Sequence, residues 1–140
     1  MRFKNCTVHT KITHAIKSAE MLLTPISPMI EELKLKNDFE FNSGTGEMVA
    51  KDLLLMQAPI NVYTYKPWNP WTAAMGYFDG SAIHINARKL DLFSHNDLVG
   101  LLLHEFSHYV GFQHGNNYKT EYKCKHSVPY YISENINRWV

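Results

Sequence analysis

Two cysteines, Cys6 and Cys124, are all that 140 residues contain. That excludes a disulfide framework, and their separation is not that of a structural zinc knuckle, so a reducing compartment is indicated. Charge of one sign is also missing: 14 Lys plus Arg stand against 13 Asp plus Glu. A net charge this close to zero gives no long-range field to draw the chain onto nucleic acid or anionic lipid, and neither is expected as a partner. No apolar run approaches the roughly 20 residues of a membrane-spanning helix. The opening Met1-Arg2-Phe3-Lys4-Asn5 leads into no apolar signal core, so a soluble chain is expected, cytoplasmic or secreted after processing. There is no internal repeat and no low-complexity tract. What the chain does have is 45% hydrophobic and 13% aromatic residues, enough for one packed domain over residues 1–140. It also has eight histidines, and most of them cluster late, after residue 94.

Apolar residues recur at helical spacing from Thr10 to Leu23 (Ile12, Ala15, Ile16, Ala19, Leu22, Leu23), which predicts a helix ended by Pro25 and Pro28. Leu33-Lys34-Leu35 and Phe39-Glu40-Phe41 alternate around Asn37-Asp38 and read as a short hairpin or one ragged strand. A second helix is expected over Glu47 to Gln57, then a strand over Ile60 to Tyr65 and a proline-bounded loop over Lys66 to Trp71. Ala73 to Phe78, a two-residue turn at Asp79-Gly80, and Ser81 to Asn86 read as a hairpin. Ser94 and Asp97 have the spacing of a capping box ahead of a helix, apolar on nearly every side, that runs to Val110 and is closed by Gly111. Residues 115 to 128 read as polar loop, and Ser133 to Trp139 as a short terminal helix.

Inside the apolar helix lies His104-Glu105-Phe106-Ser107-His108. One helical turn separates the two histidines, so both imidazoles face the same way and can share a metal ion. Glu105 is rotated about 100° from His104, which sets it beside the metal as a general base for an activated water rather than on the metal as a ligand. Gly111 turns the chain and lets His114 return as a third ligand, leaving the fourth position of a tetrahedral zinc open. A structural zinc would close with four protein ligands and has no need of the glutamate. His9, His14, His84 and His95 read as ordinary surface or packed histidines. His126, and Glu121 near it, are the other candidates for a place on the metal.

The 11 residues from His104 to His114 resemble the extended zinc-binding motif of the metzincin metalloproteases. Ser127-Val128-Pro129-Tyr130-Tyr131 is similar to the turn that passes beneath the metal in that family, with Pro129 where methionine is expected and no methionine after Met75. The resemblance implies a zincin-like α+β fold: a small mixed sheet with an edge strand packed on a buried active-site helix, and a minimal C-terminal lobe after Gly111. It gives Tyr131 the part of an extra ligand or a donor to the oxyanion. It also makes Ile83-His84-Ile85-Asn86 the edge strand along which extended substrate would lie. Cys6 invites comparison with the cysteine of a latency segment, although the residues around it lack the family's switch motif. Ile85-Asn86, the leucine-rich helix, His114-Gly115 and Tyr118-Lys119 also resemble SprT-like proteases associated with DNA, which set the third histidine further from the second.

The expected function is therefore zinc-dependent endopeptidase hydrolysis. His104, His108 and His114 would hold Zn2+, Glu105 would be the base and Tyr131 would support the oxyanion. The partners expected are a peptide or protein substrate and an inhibitor or pro-segment, with the chain a monomer. The alternatives are the SprT-like reading and a zinc-containing binding module without turnover.

Overall fold

The computed structural model describes residues 1–41, 43–115 and 122–140. Its described elements run β1 (Phe3–Asn5), α1 (Thr10–Leu22), α2 (Pro28–Leu35), α3 (Gly46–Leu55), β2 (Ile60–Tyr65), β3 (Gly76–Phe78), β4 (Ala82–Asn86), α4 (His95–Val110), α5 (Tyr122–Lys125) and α6 (Val128–Asn135). Short 3-10 turns follow β4 and α6. The protein is a mixed α/β fold with a four-stranded mixed sheet in the order β1-β2-β4-β3. β1, β2 and β4 are parallel, and β3 runs antiparallel along the outer side of β4.

α1 forms as its periodicity predicts and buries Ile12, Ala15, Ile16, Ala19 and Leu22. Pro28 does not merely stop what precedes it: it occupies the first turn of α2, behind Ser27, whose hydroxyl accepts the amide of Ile30. Proline is at home there because that amide would be unpaired in any case. The strand or hairpin expected at Leu33 to Phe41 is accordingly absent. Leu33 belongs with Met29 and Ile30 on the buried stripe of α2, and three residues of apparent alternation were too short a window to separate the two periods. Gly46 begins α3 where no other residue fits, since a Cβ there would lie 1.9 Å from the Leu33 carbonyl oxygen.

The hairpin of β3 and β4 is present, with its turn moved on by one residue. The Asp79 amide donates to the Ala82 carbonyl, so Gly80 and Ser81 are the central residues, and only Gly80 has positive φ (98°). Glycine at the first central position is the requirement of a type II′ turn. Asp79 instead receives the Ser81 and Ala82 amides and the His84 imidazole on its carboxylate.

β4 is the strand expected at the edge, and it is interior. β2 pairs with one side of it and β3 with the other, and Ala82, Ile83, Ile85 and Asn86 are all buried. The exposed edge beside α4 belongs to β3. β1, which the sequence reading missed, has one buried residue in three, too little to show as alternation.

α4 is the central element. Both halves of its capping box are made between Ser94 and Asp97, Gly111 closes it at φ 123°, and Leu98, Leu102, Leu103 and Phe106 are fully buried. α1 and α4 pack on the sheet and the other described helices pack on them or on one another; Tyr63, His84 and Tyr77 stack in a row across three strands. After Gly111 the chain returns as α5, inside the expected polar loop, and as α6, which starts at Val128 rather than Ser133 and packs along α4. Val128, Ile132, Ile136 and Trp139 join the same hydrophobic core as α1 and the sheet, so the C-terminal residues do not build a core of their own.

Candidate metal centre

Helical spacing puts His104 and His108 on one face of α4, and the turn at Gly111 brings His114 back against them. Ligand nitrogens of the three lie within 4.8 Å of one another, and the Nε2 atoms of His104 and His114 are 3.2 Å apart. Two imidazoles sharing a tetrahedral zinc at 2.0–2.1 Å would have nitrogens roughly 3.4 Å apart, so the spacing matches what one shared ion requires.

The other ring nitrogen of each histidine is occupied. His108 Nδ1 lies 2.8 Å from the Phe112 carbonyl oxygen and His114 Nδ1 2.7 Å from that of Gly115. The Pro129 carbonyl takes His104 Nδ1, with Ser133 Oγ at 3.4 Å. A carbonyl only accepts, so these Nδ1 atoms carry the protons and each Nε2 keeps its lone pair toward the common point. Burial, with His108 and His114 close by, pushes the His104 pKa down to about 3, and burial lowers that of His108 as well. Both rings are held neutral, as a metal ligand must be. The donor set and its orientation therefore fit a metal ion.

Glu105 is 8% exposed, and burial raises its carboxyl to a pKa of about 7 while the Phe78 amide donates to it. That bond reaches from α4 to the edge strand β3. It is available because of the β3 register: Met75 and Asp79 make ladder bonds with Asn86 and Ala82, so Tyr77 pairs with His84 and the backbone groups of Gly76 and Phe78 point to the edge.

The structure does not bring Tyr131 to the histidines. Its hydroxyl donates to Glu32 at 3.1 Å, and its ring packs on Phe39 and Trp139. The neighbouring Tyr130 stands there instead, with ring centroids 4.8 Å from His104 and 4.4 Å from His114. The expected turn beneath the metal is the first turn of α6, capped by Ser127. Successive residues on a helix point about 100° apart, so only one of two adjacent tyrosines can face the site. The signal was in the sequence, since Ser127 followed by Pro129 marks a helix start. The Pro129 carbonyl, Ser133 and the Phe78 amide were missed for a different reason: backbone groups and tertiary neighbours leave no motif.

His126 pairs with Lys36 rather than with the cluster, and Glu121, Tyr118 and Lys119 lie outside the described residues. Cys6 continues β1, with two strands between it and β3, and Cys124 is buried. No described helix is long and apolar enough to cross a membrane. Comparison with protein-family models, curated proteins and solved structures gives no match. What the fold and the site define is thus a mixed α/β protein with three histidines that could hold a metal ion.

Proposed function

We propose that the protein is a zinc-dependent endopeptidase with a zincin-like, metzincin-type site. The observation that carries this reading is the buried carboxylate of Glu105, standing beside three convergent imidazoles and tied to an exposed strand edge. His104, His108 and His114 would hold zinc through Nε2; when bound, the ion polarises the scissile carbonyl and acidifies water. Glu105 takes a proton from the attacking water as its oxygen bonds to the carbonyl carbon, then delivers that proton to the amine as the C–N bond breaks. β3 aligns the substrate, with Gly76 and the Phe78 carbonyl offering main-chain groups to an extended peptide. The Phe78 amide fixes the direction of Glu105, and Tyr130, whose ring stands against His104 and His114, takes the part of oxyanion support.

The test is a pair of substitutions read by metal analysis and by cleavage of an unfolded protein. Glu105→Gln keeps one zinc per chain and loses about 10² to 10⁴ in rate, the usual contribution of a general base. His114→Ala loses the zinc and the activity together. Full activity in Glu105→Gln, or undiminished zinc in His114→Ala, overturns the proposal.

A further inference from the structure

A cavity of about 380 Å3 opens directly beside the histidines, between α4 and α6. His104 and Glu105 close one end of it. Asp97, Gly100 and His104 recur along one face of α4, and Asp97 closes the far end, roughly 10 Å from His104 at 1.5 Å per residue. The walls between mix aliphatic side chains, Met75, Leu101 and Ile136, with the polar ones of Asn96, Ser133 and Asn137, and Glu134 stands on the α6 side. Every Asp, Glu, Lys or Arg lining the cavity is acidic: Asp97, Glu105 and Glu134.

Gly100 lies on the α4 wall of the same cavity. A glycine inside a helix costs about 1 kcal/mol relative to alanine, and packing does not demand one here. A Cβ at Gly100 would meet its nearest atoms, on Ile136 and Ser133, at 3.6 and 3.7 Å, which is ordinary contact. At Gly76, by contrast, a Cβ would lie 2.5 Å from the His84 carbonyl oxygen. What glycine at 100 provides is width in the cavity.

We propose that this cavity receives a lysine or arginine side chain of the peptide substrate. The inference rests on the endopeptidase reading for the peptide, and on the cavity itself for the side chain. An aliphatic stem matches the Met75, Leu101 and Ile136 walls. The five bonds from a lysine Cα to Nζ span roughly 6 Å, so from a backbone passing the histidines along β3 the ammonium reaches past Leu101 toward the acidic far end of the cavity. Short side chains stop before the acidic far end, and an acidic one meets like charge from Asp97, Glu105 and Glu134.

The test uses capped hexapeptides that differ at one position, carrying Lys, Arg, norleucine or Glu. Cleavage by the zinc-loaded full chain is mapped by mass spectrometry, and binding to zinc-loaded Glu105→Gln is measured by calorimetry. Lys and Arg are expected to exceed norleucine by about tenfold, the range of one charge-assisted hydrogen bond, with Glu lowest. Glu134→Lys, a change at an exposed position, is expected to reverse the order of Lys and Glu. Equal handling of Lys and Glu, or an order unchanged in Glu134→Lys, overturns the proposal. Charge-ordered binding without cleavage ends the endopeptidase reading and leaves the subsite standing, whereas cleavage without charge order does the opposite.

Discussion

Replacing Gly100 with alanine should make the protein more stable and less discriminating at once. Position 100 is a buried residue in the middle of α4, where alanine exceeds glycine in helix propensity by about 1 kcal/mol. Overpacking could cancel that gain, but the added methyl would sit 3.6 Å from Ile136 Cγ2 and 3.7 Å from the Ser133 backbone, distances at which dispersion attracts. The expected net change is a stabilisation of about 1 kcal/mol, a rise in melting temperature of roughly 3 to 4 °C for a chain of this size. It is measured by thermal and urea unfolding of the metal-free chain, so that ligand linkage adds nothing to the difference. The same methyl narrows the cavity beside Leu101, so cleavage next to arginine, the bulkier cation, should fall more than cleavage next to norleucine. A Gly100→Ala protein no more stable than the parent would show that packing holds the glycine, and the argument from a spared volume would fail.

The two adjacent tyrosines should separate cleanly. Tyr130→Phe is expected to lower turnover by about 10²-fold, the loss typical of one oxyanion donor, with zinc content unchanged. Tyr131→Phe should leave turnover alone and cost about 1 kcal/mol in unfolding through its lost bond to Glu32; the reverse pattern in steady-state kinetics would restore Tyr131 to the site. Asp79 offers a pH test: hydrogen bonds from His84 first, then from Ser81 and Ala82, hold its carboxyl well below the ordinary 3.8. A depressed native pKa contributes stability that is present above 3.8 and is lost as pH falls below it. Asp79→Asn should therefore be less stable than the parent at pH 7, with the gap closing in denaturant titrations below about pH 4. A gap that stays constant with pH would mean that the charge of Asp79 plays no part in the turn.

Long periodic segments were legible in the sequence. α1, α4 with its capping box, β2, and the three histidines with Glu105 follow from spacing alone, because each repeats a signal over several turns or pairs. Short elements were not. β1 has three residues, and α2 was obscured by an alternation its own helical stripe explains better. The placement of β4 between β2 and β3 could not be read either, since a strand's neighbours depend on where the chain crosses over and not on its composition. Around the histidines the missed groups were the Phe112, Gly115 and Pro129 carbonyls and the Phe78 amide, which carry no side-chain identity. The structure brings Tyr130 rather than Tyr131 to the histidines because residues 127–131, read as a turn, are a helix start, which changes which way each side chain points.

The bond from the Phe78 amide to Glu105 makes that carboxylate part of the hairpin's mechanics. α4 is locked into the core, so the freedom of that carboxylate is set from the other side, by how firmly β3 is laced to β4 through the turn at Gly80 and Ser81. A loosened turn would leave the histidines in place and let the Glu105 carboxylate swing, so the proposed enzyme would still take up metal but work slowly. On the endopeptidase reading the hairpin tip would thus act as a splint on the chemistry, and damage there would look in kinetics like damage to α4 itself.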